Sequence, residues 1–155
     1  MNRNQARNDI NEWLKTAACI KHPAGYVDQD GHGAFTDREG NPFQLAVPDA
    51  FSSLHLYGTL LQLQPAVDGR VLASALAINA QKKVLRGSVI ALNTENQELF
   101  VHHTAILESL DRIGLWQTLD NFVALTQELR SALQSQPVPA ATIESTQLHH
   151  PRRVF

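Results

Sequence analysis

The clearest chemical spacing in the chain lies in the segment Asp28–Glu39, DQDGHGAFTDRE, which fits a 12-residue calcium loop. Asp28 and Asp30 fall at ligand positions 1 and 3, and Glu39 falls at position 12. Gly33 occupies position 6, where such loops turn sharply. Calcium binds oxygen ligands, so these carboxylates could hold the ion. The spacing keeps a calcium- or metal-responsive regulatory protein as the alternative function.

Three features of the same segment argue against calcium. Position 5 is His32, and an imidazole is a poor ligand for this hard cation. The helix that should follow Glu39 is missing, because Gly-Asn-Pro comes next and alternating apolar residues follow. The chain also has no second loop to pair with this one. A polar loop that enters a β-hairpin is the preferred interpretation, and no metal site is predicted.

The remaining polar residues do not form a recognisable catalytic set. His102 and His103 are adjacent in a predicted strand, so their side chains should point to opposite faces and cannot share one metal ion. Cys19 is the one cysteine, which excludes an intramolecular disulfide, and no nucleophile motif surrounds it. Because no nucleophile, base and orienting residue can be named together, we expect neither enzymatic activity nor a cofactor.

Length and charge fit one soluble domain. A chain of 155 residues can bury a core without disulfides or metals. A net charge of −2 lacks the basic excess of a nucleic-acid binder, and Arg152 and Arg153 are too few for a basic patch. No apolar run approaches the roughly 20 residues of a membrane span, and the N-terminus lacks the apolar core of a secretory signal.

The N-terminal half predicts one helix and three strands. Apolar residues at helical spacing predict a helix over Gln5–Lys21, and glycines mark a loop over Tyr26–Gly33. Alternating apolar residues predict a hairpin in which Ala34–Arg38 pairs with Asn41–Pro48. A longer strand, Ser53–Gln64, changes phase towards its end, which indicates a β-bulge or a bend.

The C-terminal half predicts a short helix, two strands and a long closing helix. Asp68 is the predicted N-cap of the short helix, which is apolar on one side and rich in alanine on the others. The strands are Ser88–Leu92 and Glu98–Leu107, joined by a polar turn. The closing helix is Leu110–Leu133, with Ser109 as its N-cap and an apolar stripe that should cover the sheet.

The order of elements, α-β-β-β-α-β-β-α, predicts an α+β fold. Because the strands come in runs, the sheet should be mostly antiparallel and twisted, with helices flanking it. The domain should span residues 1–134, and the Pro-, Ser- and Thr-rich residues 135–155 should form a flexible C-terminal tail. The short apolar helix has few partners within one subunit, so we expect a homodimer that covers it.

Three segments carry a resemblance to a known family: LASALAINAQ, GSVIALNTENQELFVHHTAIL and SLDRIGLWQTLDNFVALTQELRSAL. They contain a short Leu/Ala helix with a near-terminal Asn79, a strand that ends in Leu92 and Asn93, and a long Leu-rich closing helix. Over roughly Gln5–Leu133 the chain resembles the class I type III secretion chaperones, the Tir-chaperone-like family. The resemblance rests on element order and apolar spacing, not on an invariant signature.

The resemblance implies a role in virulence-related protein transport. Such chaperones are homodimers of the bacterial cytoplasm without enzymatic activity, and they bind the extended N-terminal segment of secreted effector proteins. The effector adds a strand to a sheet edge and places apolar side chains in grooves. The secretion-system ATPase is a further implied partner. Members are usually clearly acidic, whereas the net charge of this chain is only −2.

Two sets of contact residues are predicted on this basis. The dimer interface should come from the short helix and the strand after it, at Leu72, Leu76, Ala80, Ile90 and Leu92. The effector-binding groove should come from the first helix and the first strands, at Leu14, Ala17, Phe35, Phe43 and Leu45.

Overall fold

The computed structural model describes residues 3–21, 26–48, 52–64 and 68–135, which fold around one antiparallel sheet. The elements in chain order are α1 (Arg3–Leu14), β1 (Ile20–Lys21), β2 (His32–Asp37), β3 (Pro42–Ala46), β4 (Ser53–Gln62), α2 (Gly69–Asn79), α3 (Lys82–Leu85), β5 (Val89–Asn93), β6 (Glu98–Ile106) and α4 (Arg112–Gln134). The strand order is β1-β2-β3-β4-β6-β5. The predicted α+β class and antiparallel sheet are confirmed. Beyond Ser135, the predicted tail lies outside the described residues.

The first helix is shorter than predicted. α1 ends at Leu14, whereas the prediction carried it to Lys21. The chain turns after Leu14, and Ile20–Lys21 then pairs with the end of β2. Pairing with β2 provides backbone hydrogen-bond partners for Ile20–Lys21. This pairing is favoured here over an extension of α1. Leu14, Ala17 and Ile20 are all buried nevertheless.

The predicted hairpin and its continuation are formed. Gly40, at a φ of 90°, closes the turn between β2 and β3, where a positive φ favours glycine. The Asp37 carboxylate holds this turn by accepting hydrogen bonds from the backbone and side-chain N–H groups of Asn41, both at 2.8 Å. β4 pairs with β3 and β6, and its register shifts between Thr59 and Leu61. The predicted irregularity of this strand, a β-bulge or a bend, is therefore present.

Tight turns bring α2 and α3 back to the sheet at β5. Arg86 and Gly87, both at positive φ, reverse the chain before β5. Asp68 lies at the N-cap position of α2, as predicted, and its carbonyl accepts a hydrogen bond from the Leu72 N–H, but its side chain does not cap the helix. Its carboxylate instead accepts a hydrogen bond from the Gln64 backbone N–H. The start of α2 is thus tied to the end of β4.

The N-cap of α4 differs from the prediction. The Asp111 carboxylate accepts a hydrogen bond from the Gly114 backbone N–H at 2.7 Å, so the prediction of Ser109 as the cap was wrong. Ser109 lies in a 3₁₀ turn that precedes the helix, and its hydroxyl donates to the Ile106 carbonyl. This extra turn moves the start of the helix two residues along the chain.

The apolar stripe of α4 is buried against the sheet as predicted. Its members are Leu115, Leu119, Phe122, Leu129 and Leu133. Thr126 lies within the stripe and is fully buried, and its hydroxyl donates to the Phe122 carbonyl at 2.8 Å. A Cβ added at Gly58 of β4 would lie 2.9 Å from that hydroxyl, so glycine allows the close approach of helix and strand.

The helices cover only one face of the sheet. α4 packs on β4 and β6, α1 packs on α4, and α2 packs beside them on β5. Leu54 and Leu56 of β4 point to this covered face and are fully buried, whereas His55 and Tyr57 alternate with them and are only part-buried. Among the described residues no helix lies on the second face of the sheet. No helix in the described part of the chain is long and apolar enough to cross a membrane.

Candidate partner-binding surfaces

The uncovered side of the sheet, here termed the open face, carries rings from two neighbouring strands. His55 and Tyr57 come from β4, and Phe100 and His102 come from β6. The Tyr57 ring stacks on His102 with centroids 4.8 Å apart, and its centroid lies 6.1 Å from that of Phe100. Aromatic rings offer large apolar contact area with few rotatable bonds, so a rigid row of rings suits the binding of another chain.

Two histidines of the open face share a hydrogen bond. His55 Nδ1 lies 2.9 Å from His102 Nε2, with nearly parallel rings, and one shared proton satisfies this contact. Burial, and after it the neighbouring His55, lowers the pKa of His102. His102 and His103 point to opposite faces of the sheet, as predicted. His103 projects to the covered face, where its Nδ1 lies 3.1 Å from Ser88 Oγ and its ring lies near Phe122. The adjacent histidines therefore do not converge.

One end of the open face contains a cleft of about 270 Å³. It is lined by Pro42, Gln44, Tyr57, Thr59, Asn93, Glu98 and Phe100. The Thr59 hydroxyl donates a hydrogen bond to the Glu98 carboxylate at 3.2 Å. Gln44 and Tyr57 also border a wider groove of about 710 Å³ that extends towards β2. The two depressions thus meet at Gln44 and Tyr57, and together they cross much of the sheet.

A second surface lies where α2, α3 and β5 meet at the end of the sheet. Three large apolar side chains are exposed here, and we refer to them as the apolar edge: Leu76 at 70%, Val84 at 43% and Leu92 at 36%. Val89, which is also exposed, pairs with His102 and therefore lies on the open face. Single exposed apolar residues are ordinary on a protein surface, but a group along one edge indicates a contact site.

Asn79 protects the backbone of β5 at this edge. Its side-chain amide donates to the Ile90 carbonyl and its side-chain oxygen accepts from the Ile90 N–H, both at 2.8 Å. Successive residues of a strand direct their backbone groups to opposite sides. The backbone N–H and C=O groups that point outward from this edge strand therefore belong to Ile90 and Leu92. The Asn79 side chain bonds to those of Ile90. An exposed strand edge protected in this way is less available for pairing with another strand.

The sequence matches one family model. The model of the Tir chaperone protein (CesT) family matches residues 24–130, which is more than half of the chain. The chain belongs to this family. The resemblance seen in the three sequence segments is thereby confirmed for the CesT-family chain, whereas no curated protein sequence matches it.

Solved structures share the fold at low sequence identity. The ExsC–ExsE complex gives a TM-score of 0.67 at 13% identity, covering 82% of this CesT-family chain and 95% of that chain. The HopA1–SchA chaperone–effector complex gives 0.64 at 15%, with coverages of 84% and 97%. The ExoU–SpcU complex of the Pseudomonas aeruginosa type III secretion system gives 0.60 at 15%, with coverages of 82% and 99%. At such identities the likeness establishes the fold.

The predicted dimer residues lie at or beneath the apolar edge of the CesT-family chain. Leu76, Ala80 and Leu92 are exposed, Leu72 is half-buried, and Ile90 is buried. The structure therefore places the exposed members together at one end of the sheet. Their contact with a second subunit stays a prediction.

The predicted groove residues lie in the core instead of on an open surface. They are Leu14, Ala17, Phe35, Phe43 and Leu45, each 3% exposed or less. Phe35 and Phe43 stack with centroids 5.1 Å apart, and Phe43 meets Phe122 of α4 edge-on at 6.0 Å. The reason is that α1 and α4 cover the apolar side of the first strands. Contact of these residues with an effector stays a prediction, and in this protomer they support the sheet.

The residues of the open face were not among the predicted contacts. His55 and Tyr57 alternate with the buried leucines of β4, and Phe100 and His102 alternate with buried residues of β6. This period of two in the sequence could have identified them as the opposite face of a sheet. The alternation does not reveal the cross-strand register, which places Tyr57 beside His102.

The calcium-loop geometry is not formed in the segment 28–39. Asp28 precedes β2 and Glu39 follows it, so a whole strand separates these predicted ligands. The Asp28 carboxylate accepts a hydrogen bond from the His32 backbone N–H, which lowers its pKa. The Arg7 guanidinium donates to the Gln29 carbonyl at 2.7 Å, so a side-chain cation holds this loop. The described residues contain no group of three or more His, Cys, Asp or Glu suited to a metal ion.

Cys19 has the properties of a structural thiol in the CesT-family chain. It is half-buried and packs against the hydrophobic core. Burial, with a smaller contribution from a hydrogen bond to Asp120, raises the pKa of the thiol to about 12. Because the thiolate is the reactive form, this sulfur is a poor nucleophile near neutral pH.

Proposed function

We propose that this CesT-family protein is a non-enzymatic chaperone of the bacterial cytoplasm. It binds the extended N-terminal segment of one or a few type III secretion effectors and keeps them soluble and ready for secretion. Family membership supports this proposal, as does the shared fold with the HopA1–SchA chaperone–effector complex. The secretion-system ATPase, which would receive the loaded chaperone, is a further proposed partner.

The open face is the observation that carries the proposal. One side of the sheet is packed by helices, while the other presents the ring row of Tyr57, Phe100, His55 and His102 beside two continuous depressions. Rigid aromatic rings beside a groove are typical of surfaces that bind another chain. A chain held here would gain apolar contacts without any chemistry, which fits a protein whose one described thiol is unreactive.

The proposed chaperone is a homodimer that joins at the apolar edge. A two-fold contact would place Leu76 and Leu92 of each subunit against the same patch of its partner, as self-complementary interfaces require. The Asn79 side chain already bonds to the backbone N–H and carbonyl of Ile90. The contact between subunits should therefore depend more on side-chain packing than on strand pairing. Burial of the exposed apolar area supplies the association free energy.

Capture of the effector tests the proposed function. The tagged full-length chain would be purified from its native host under secretion-inducing conditions, and bound proteins would be identified by mass spectrometry. We expect one or a few secreted proteins, with limited proteolysis protecting their N-terminal segments. Light scattering should give the mass of two chaperone copies with one effector segment.

A pair of variants ties this binding to the open face. Tyr57→Ser removes the central ring and should reduce the recovered effector without changing the chaperone mass. Gln117→Ser, on the exposed side of α4, is the matched control and should recover as much effector as the unmodified chain. Recovery of the chaperone alone from secreting cells would refute the proposed function.

A further inference from the structure

The cleft of the open face combines two aromatic walls with one carboxylate. Tyr57 and Phe100 form the walls, with their rings tilted by 53° and centroids 6.1 Å apart. The stack of Tyr57 on His102 fixes the first ring in position. A cleft of about 270 Å³ has room for one long side chain, and it is too small for a folded element.

The carboxylate of this cleft has a neutral partner and no cationic one. Glu98 accepts one hydrogen bond, from the Thr59 hydroxyl, and forms no ion pair with any residue that the structure describes. Arg130 of α4 contacts the backbone of β4, but its side chain lies on the covered face. Its Nε donates to the Thr59 carbonyl and its guanidinium lies over the Phe43 ring. The cleft therefore presents an uncompensated negative charge next to aromatic rings.

We infer that this cleft binds an arginine side chain of the effector segment that crosses the open face. The inference rests on the proposed function and names the side chain that its binding surface selects. A guanidinium is planar, stacks on aromatic rings and pairs with a carboxylate through a fork of N–H donors. Tyr57 and Phe100 supply the rings, and Glu98 supplies the charge. Lysine meets the charge requirement but stacks less well on the rings.

A pair of short synthetic peptides tests the inference on the full-length chain. One alternates valine and threonine around a central arginine, and the other carries citrulline there, which keeps the shape and removes the charge. Titration into the ¹⁵N-labelled protein should shift the amides of Glu98 and Phe100. We expect the arginine peptide to bind about tenfold more tightly, because a charge-assisted hydrogen bond is lost with citrulline.

Two protein variants test whether the charge of Glu98 causes the preference for arginine. Glu98→Gln keeps the acceptor for Thr59 but removes the charge, so the arginine and citrulline peptides should then bind equally. Glu95→Gln removes an exposed carboxylate from the neighbouring β5–β6 turn and should leave the tenfold preference intact. Thermal melting should show both variants folded, because neither carboxylate is buried in the core.

The outcomes separate this inference from the proposed function. Equal affinities of the two peptides for the unmodified chain, or no amide shift at the cleft with either, would overturn the inference. The same holds if Glu98→Gln and Glu95→Gln reduce the preference alike. Effector capture from the host would stand in those cases. Conversely, a preserved arginine preference without any captured effector would refute the proposed function and leave the cleft specificity in place.

Discussion

Leu76→Asp should dissociate the proposed dimer while leaving the protomer folded. Leu76 is 70% exposed in the protomer, and complete burial of a leucine side chain is worth about 1.5–3 kcal/mol. Covering its exposed part therefore contributes about 1–2 kcal/mol per copy, or about 2–4 kcal/mol across a two-fold interface. Its loss should raise the dissociation constant about 30- to 1,000-fold. The introduced carboxylate, which would lose water on association, adds to this cost.

Light scattering after size exclusion, over a dilution series, measures this change. The unmodified chain should have the mass of a dimer, and Leu76→Asp should have the mass of a monomer at the same concentration. Because the side chain is mostly exposed in the protomer, the thermal unfolding of the variant protomer should stay cooperative. Ile113→Asp is the matched control, since Ile113 is 56% exposed in the first turn of α4 and is not one of the apolar-edge residues. A concentration-independent monomer for the unmodified chain, or equal dissociation by both variants, would refute the reasoning.

Three further changes have defined outcomes. Asn79→Ala removes both hydrogen bonds that protect β5, so urea unfolding should show a loss of about 2 kcal/mol; an unchanged midpoint would contradict it. Gly58→Ala places a methyl group 2.9 Å from the Thr126 hydroxyl, and calorimetry should show a loss of about 1–3 kcal/mol, whereas a gain would contradict the packing argument. Burial lowers the pKa of His102 below its ordinary 6.5, so the unfolded state binds that proton more tightly. The contribution of neutral His102 to the free energy of unfolding should be fully present above about pH 6.5. It should be lost as the pH drops through the lowered pKa. His102→Gln should flatten this slope in urea unfolding at several pH values, with His103, whose pKa burial also lowers, supplying the remainder. An equal slope in the variant would contradict the assignment.

The alternation of apolar residues was sufficient to predict the buried side of each long strand. Phe43, Leu45 and Val47 share one face, and each is 2% exposed or less. The same pattern does not separate groove residues from core residues, because an apolar side chain fits a core and a binding groove equally well. What decides between them is whether α4 covers that face, and this depends on packing between segments far apart in the chain.

The ends of the helices required information that local spacing does not contain. Ala17 and Ile20 continue the helical spacing of α1 and are buried, yet the chain has already left the helix. Edge pairing of Ile20 with Asp37 competes with helix extension there. At α4, Ser109 and Asp111 are both good capping residues. The 3₁₀ turn before the helix selects Asp111, and it forms only with the tertiary fold in place.

The two edges of the sheet limit how a partner strand could be added to this protomer. At one edge Asn79 takes the outward groups of Ile90. At the other edge, β1 pairs with only the end of β2, while the His32 N–H and carbonyl bond to the side chain and backbone of Asp28. Among the described residues this leaves little continuous free backbone on either side. The strand addition that the family resemblance implies would therefore have few backbone partners here, and a bound segment should owe its affinity mainly to the side chains of the open face. A chaperone that recognises rings and charge in this way would discriminate between effectors by their side chains, because backbone pairing is nearly the same for every sequence.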